Sequence, residues 1–161
     1  MCWHGFLRYT LKLSMKNKLT GTVSSRIDQP ASKVWEALTN PTLVRQYFFG
    51  TKVQSDWKPG SPITFTGEWK GKSYRDKGVV TDAQPFKILS YKYWSSLAGT
   101  EDKPENYANV TYELSEERGD TVLTVSQDNI ADEQSKEHSE ENWKRVLKNL
   151  KNLLEREPAL V

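Results

Sequence analysis

Apolar residues between positions 139 and 155 recur at spacings of three and four, which is the period of one face of an α-helix. They are Trp143, Val146, Leu147, Leu150, Leu153 and Leu154. Ser139 is placed to cap the start of this helix, and Pro158 is placed to stop it. At 1.5 Å per residue the helix would be roughly 25 Å long. Its apolar stripe therefore requires a matching apolar surface elsewhere in the chain.

The preceding chain supplies that surface as short segments in which apolar and polar residues alternate between turn residues, the pattern of half-buried strands. The predicted strands are 19–28, 51–57, 63–69, 74–81, 87–94, 108–114 and 121–128.

Two short helices interrupt this run after the first strand. The first begins at Pro30 and ends at Thr39, and the second begins at Asn40-Pro41 and ends at Gly50. Segments 95–106 and 129–138 are polar and predict loops. This order predicts an α+β fold in which a curved antiparallel sheet of about seven strands wraps around the C-terminal helix.

Alternation also places one group of aromatic side chains on the predicted inner face of the sheet. They are Trp57, Phe65, Trp69, Tyr74, Tyr91, Tyr93 and Tyr112. Two interpretations are open: the rings and hydroxyls line a ligand pocket, or they fill an ordinary core. Gly67 and Gly78 share this face and either bend the sheet or leave room.

In the pocket interpretation, Gln127 adds a polar group from the last strand, and Trp143, Leu147 and Leu150 of the helix form the opposite wall. We expect a cavity of about 300–1,000 Å³, the usual range for small-molecule sites. If these side chains instead fill the space, an outer surface and a protein partner become the better explanation of function.

Asp76 shares the inward face of its strand with Tyr74 and Val80. An inward carboxylate needs hydrogen-bond partners or a raised pKa. It would act as a general acid or base, or bind the polar end of a ligand. The alternative is a structural one, in which Arg75, Lys77 or a neighbouring tyrosine satisfies it.

The sequence contains two histidines, His4 near the N-terminus and His138 just before the predicted helix. Neither lies in a cluster of His, Cys and carboxylate residues, so no metal site and no cofactor are predicted. The same isolation leaves no Ser-His or Cys-His nucleophile. With no catalytic group of this kind, an enzyme is the less favoured class.

Composition narrows the choice of partner and compartment. The formal net charge is +2 and no dense basic run occurs, so nucleic-acid binding is not predicted. No apolar run approaches the roughly 20 residues of a membrane span. The only cysteine is Cys2, which excludes a disulfide scaffold and favours a reducing, cytoplasmic location.

We predict a single domain from residue 18 to 157. Residues 1–17 form an N-terminal extension that is either disordered or continues the first strand through the alternating Leu7, Tyr9, Leu11 and Leu13. Arg8 and Lys12 interrupt its apolar residues, so a signal peptide is not predicted. Met15 is an alternative start.

Several segments together resemble a known family. They are IDQPASKVWEALTNPTLVRQY at 27–47, FGTKVQSDWKPGSPITFTGEW at 49–69, YRDKGVV at 74–80, and the closing helix with Trp143. In order and content they are similar to the START/Bet v 1-like (SRPBCC) superfamily, and most of all to its activator-of-Hsp90-ATPase-homologue-like branch. The resemblance implies a helix-grip fold with a hydrophobic cavity.

Members of this superfamily bind lipids, hormones or polyketides, and a few are cyclases or hydroxylases. The expected function is therefore binding of a small hydrophobic or aromatic ligand by a carrier or sensor that is a monomer or homodimer. One alternative is a cyclase- or hydrolase-type enzyme that uses the same cavity. Another is a chaperone-associated stress protein, although Hsp90 activators of eukaryotes carry a further N-terminal domain ahead of this module.

Overall fold

Seven antiparallel strands form a single sheet in the computed structural model, which describes residues 18–156, and the strand order is β1-β7-β6-β5-β4-β3-β2. The strands are β1 (Leu19–Ile27), β2 (Lys52–Ser55), β3 (Pro62–Trp69), β4 (Lys72–Gln84), β5 (Ile88–Trp94), β6 (Ala108–Glu117) and β7 (Asp120–Ile130). The helices are α1 (Ala31–Thr39), α2 (Pro41–Tyr47) and the long C-terminal α3 (Glu133–Arg156), with one 3₁₀ turn at Pro104–Asn106. The predicted α+β helix-grip fold is confirmed.

Two-residue turns join β3 to β4 and β6 to β7 in the meander that runs from β2 to β7. The connections Lys70-Gly71 and Arg118-Gly119 place both of their residues in the left-handed region, at φ 52° and 80° and at φ 55° and 87°. Such two-residue turns match the twist of antiparallel strands and join neighbours in the sheet. The helices α1 and α2 separate β1 from this meander. The last strand, β7, pairs antiparallel with β1.

Gly78 marks a close approach between strands rather than open room. A Cβ atom there would lie 1.6 Å from the carbonyl oxygen of Lys92 on β5. Of the two roles predicted for this glycine, leaving room applies, and the Lys92 carbonyl takes up that room. The missing side chain lets β4 and β5 pair at this point.

The predicted stripe of α3 packs into the core. Its buried residues are Trp143, Val146, Leu147, Leu150 and Leu154, whereas Leu153 is only half-buried. The C-terminal end of the helix is also tied to β1. Lys151 donates to the backbone carbonyl of Arg26, and Glu155 accepts from the backbone N–H of Asp28 at 2.8 Å.

The start of α3 was predicted wrongly. The helix begins at Glu133, not near Ser139, so most of segment 129–138 is not a loop. Asp132 supplies the cap, because its Oδ1 accepts the backbone N–H of Ser135 at 2.8 Å. Strand β7 continues to the buried Ile130 immediately before this cap.

The other strands and helices begin and end closer to their predicted limits. Some predictions concern residues that the structure does not describe. Strand β4 is longer than predicted and contains a register shift between Val80 and Asp82. The predictions for residues 1–17, including His4, and for Pro158 lie outside the described residues.

Candidate functional site

A cavity of about 870 Å³ lies between the inner face of the sheet and the first half of α3. This volume is within the range predicted from the sequence, but the cavity is not closed. Phe49, Trp69 and Leu97 stand at its mouth with 42%, 48% and 46% of their surfaces exposed. The space is therefore a pocket with an aromatic rim.

The structure brings together most of the predicted site residues around this pocket. Those that line it are Phe65, Trp69, Tyr74, Asp76, Tyr91, Tyr93, Gln127 and Trp143. Those that do not line it are Trp57, Tyr112, Leu147 and Leu150.

The four predicted residues that do not line the pocket have structural positions instead. Leu147 and Leu150 are buried in the core, where neighbouring apolar side chains fill the space beneath α3. Tyr112 is buried behind Tyr91, with ring centroids 6.0 Å apart. Trp57 is half-buried and packs against the core from a connection where its φ is 58°.

Asp76 is buried, and both of its carboxylate oxygens accept hydrogen bonds. The Tyr93 hydroxyl donates to Oδ2 at 2.5 Å, and the backbone N–H of Ser96 donates to Oδ1 at 3.0 Å. Of the partners considered from the sequence, the neighbouring tyrosine satisfies Asp76, whereas Lys77 pairs with Asp102 at 2.5 Å. Burial, followed by the charge of Asp76, raises the pKa of Tyr93 well above its usual value, so its hydroxyl stays protonated.

Two further hydroxyl pairs lie at the pocket. Tyr91 and Tyr112 share one hydrogen bond of 3.1 Å, and Thr51 and Tyr74 share another of 2.5 Å. Burial raises the pKa of Tyr91 and of Tyr112. Both tyrosines are therefore neutral phenols that can donate and accept hydrogen bonds.

Trp143 sits where the pocket meets the core. Its indole Nε1 donates to Oε1 of Gln127 at 2.9 Å. Its ring and that of Phe48 pack edge to face with centroids 5.8 Å apart.

Glycine is needed at position 67, because a Cβ atom there would lie 2.6 Å from the Tyr74 hydroxyl. Of the two roles predicted for Gly67, leaving room applies, and the occupant of that room is the Tyr74 ring.

Sequence reasoning missed the polar wall that the first half of α3 contributes. Its lining residues are Gln134, Ser135, His138, Ser139 and Asn142. The helical period could have identified these residues, because positions four apart lie on the same face of a helix. Counting back in fours, Trp143 is followed by Ser139 and Ser135, and Val146 is followed by Asn142, His138 and Gln134. Phe48, Phe49, Thr51, Lys70, Leu97, Val110, Arg145 and Val146 also line the pocket without having been predicted to do so.

Within residues 18–156, no three His, Cys, Asp or Glu side chains are grouped closely enough to hold a metal ion. None of the helices in this same range is long and apolar enough to span a membrane.

Comparison with known proteins places the chain in a family. The family model described as "Activator of Hsp90 ATPase homolog 1-like protein" matches residues 28–155. No curated protein matches the sequence significantly.

Solved structures share the fold. A protein from Cytophaga hutchinsonii is 45% identical, with a TM-score of 0.76 over 86% of this chain and 94% of that chain. CalU16 from Micromonospora echinospora is 21% identical, with a TM-score of 0.67 over 89% of this chain and 86% of its own. The Aha1 dimer from Colwellia psychrerythraea is 18% identical, with a TM-score of 0.67 over 85% and 96%. The branch expected from the sequence is thus confirmed, and the chain belongs to the Activator of Hsp90 ATPase homolog 1-like family.

Proposed function

We propose that this protein binds a small hydrophobic or aromatic molecule in the pocket between the sheet and the first half of α3, as a carrier or sensor. The observation that carries the proposal is a space of about 870 Å³ that the surrounding rings leave unfilled. Pockets that bind small molecules have this size and combine aromatic walls with a few polar groups.

The polar groups of the pocket support binding more than turnover. Among residues 18–156, Asp76 is the only carboxylate in the lining, and its oxygens already accept hydrogen bonds from Tyr93 and Ser96. Each carboxylate oxygen has two lone pairs, so Asp76 retains capacity to accept a substrate proton. The cyclase- or hydrolase-type alternative would use Asp76 in this way, and Asp76→Asn would abolish turnover if that alternative holds.

Filling the pocket tests the proposal. The neutral dye N-phenyl-1-naphthylamine should bind the folded protein and become fluorescent in the apolar pocket. Ser139→Trp, which projects a ring from the half-buried wall position, should weaken dye binding at least tenfold, because the ring takes the space that the dye needs. Lys144→Trp, at an exposed position outside the lining, is the matched control and should bind the dye as the wild type does. Equal binding by both variants would refute a ligand site here.

The exposed rim favours a second candidate, docking of a chaperone or another protein partner. The rings of Phe49 and Trp69 contact each other at 6.1 Å while both remain more than two-fifths exposed. Exposed apolar patches of this kind often mark interaction sites. If docking on this rim is the function, Trp69→Ser should abolish stimulation of the Hsp90 ATPase while dye binding persists.

We also propose a cytoplasmic monomer or homodimer. The single cysteine fits a reducing compartment, and the Colwellia relative forms a dimer. Light scattering during size-exclusion chromatography would distinguish monomer from dimer. Cell fractionation would test the location.

A further inference from the structure

The inner part of the pocket presents hydrogen-bond donors that have no acceptor among residues 18–156. Each hydroxyl pair, Tyr91 with Tyr112 and Thr51 with Tyr74, has two O–H groups but only one bond between them. One proton of each pair therefore has no acceptor among residues 18–156. Thr51, Tyr91 and Tyr112 are 2%, 3% and 6% exposed, so the missing acceptor has to come from the contents of the pocket that Thr51 and Tyr91 line.

Gln127 adds another donor. Its Oε1 is occupied by the indole of Trp143, which directs the Nε2 amide group elsewhere, and Nε2 makes no hydrogen bond within residues 18–156. The carboxylate of Asp76 in the lining accepts hydrogen bonds from Tyr93 and Ser96. A molecule that enters this pocket thus meets unused N–H and O–H groups on Gln127 and on the two hydroxyl pairs.

Two positively charged side chains lie at the mouth of the pocket. Lys70 and Arg145 both line the pocket, and neither forms a salt bridge in the part of the chain that the structure describes. Lys70 lies 5.7 Å from the ring centre of Trp69, which holds its charge beside the rim.

We infer that the ligand is an aromatic molecule whose polar groups are hydrogen-bond acceptors: a carbonyl oxygen inside the pocket and a carboxylate at the mouth beside Lys70 and Arg145. This inference rests on the proposed function and names the chemical class that the same pocket selects. The carbonyl oxygen accepts a hydrogen bond from the unused O–H group of the Tyr91–Tyr112 pair. The carboxylate is attracted by the two cations.

A set of probes with one ring system tests the charged end. Calorimetric titration would compare fluorene-2-carboxylate, 2-fluorenemethanol and 2-fluorenemethylamine. We expect the carboxylate to bind about fivefold more tightly than the alcohol, and the amine to bind most weakly, as partly solvated charges predict. The preference should fall in high salt because exposed charges are screened.

A double variant, Lys70→Asn and Arg145→Gln, should abolish the preference for the carboxylate over the alcohol. Asparagine suits Lys70 because its φ of 52° lies in the left-handed region. Lys144→Gln, which removes an exposed cation outside the pocket lining, is the control and should retain the preference.

A second comparison tests the donor inside. 9-Fluorenone-2-carboxylate should bind about fivefold more tightly than fluorene-2-carboxylate, the effect of one net hydrogen bond. Tyr91→Phe should remove this advantage because Tyr91 lines the pocket. Tyr112→Phe should keep it, because the remaining Tyr91 hydroxyl is then free to donate.

The outcomes separate the inference from the function on which it rests. If the neutral dye and all fluorene probes fail to bind, the proposed ligand site is wrong. If they bind but the amine equals or exceeds the carboxylate, or the fluorenone gains nothing over the fluorene, the inferred chemical class is wrong.

Discussion

The two halves of α3 share one helical period but face different surroundings. From Trp143 onward the inward positions are apolar and buried, and Leu150 has no exposed surface. From Glu133 to Asn142 the positions on the same side are polar and border an open pocket. The comparison teaches that one side of a helix can stabilise the fold along part of its length and border an open pocket along the rest.

The largest expected effect comes from breaking the buried half. Leu150→Ala should lower the free energy of unfolding by about 2–5 kcal/mol, because a closely packed position loses its side chain and leaves a void. Lys148→Ala on the exposed side should change it by less than about 0.5 kcal/mol. Chemical unfolding checks both, and equal losses would contradict the assignment of the stripe.

An intermediate effect is expected at the boundary between the halves. Trp143→Phe keeps an apolar ring but removes the donor to Gln127, so it should cost about 1 kcal/mol of stability, the net value of one hydrogen bond. It should also change the affinity for a pocket probe, since the freed Gln127 carbonyl becomes a new acceptor. A variant with unaltered probe affinity would place Trp143 wholly in the core.

A smaller effect on stability is expected in the half that borders the pocket. Asn142→Ala should alter the free energy of unfolding by less than about 0.5 kcal/mol, because this half-buried side chain faces open space rather than packed neighbours. The same change should alter probe affinity measurably. A stability loss like that of Leu150→Ala would show that the two halves do not differ.

The smallest effect is expected at the cap. Hydrogen bonds from Ser135 lower the pKa of Asp132 below its usual 3.8. The folded chain therefore binds this proton less readily than the unfolded chain, so the stabilisation is present above pH 3.8 and is lost as pH falls through the lowered pKa. The Ser135 amide resonance, followed by NMR between pH 2 and 6, should report that loss. Asp132→Asn should remove the titration, and an unchanged curve in this variant would contradict the cap.

Alternation and turn residues predicted the strands well because the inner face of the sheet is apolar along most of its length. They placed Trp69 inside, but this residue ends β3 at the mouth of the pocket and remains 48% exposed. The first turns of α3 were missed for a related reason. An apolar stripe reveals a helix only where the helix packs against a core, and this part faces the pocket.

The chemistry of the site was predictable in kind but not in detail. Alternation identified Asp76 as an inward carboxylate, yet its Ser96 partner comes from the loop after β5, whose path the pattern does not specify. Leu147 and Leu150 point toward the sheet as expected. Their neighbours fill the space, however, and that depends on packing in three dimensions.

The division of α3 also bears on how such proteins diversify. Where a wall contributes little to folding, substitutions on it escape the penalty that constrains core positions. Under the proposed function, replacements at residues such as Ser139 and Asn142 would change which molecule is bound while the sheet and the stripe are retained. One backbone could then bind different molecules after single replacements on this wall.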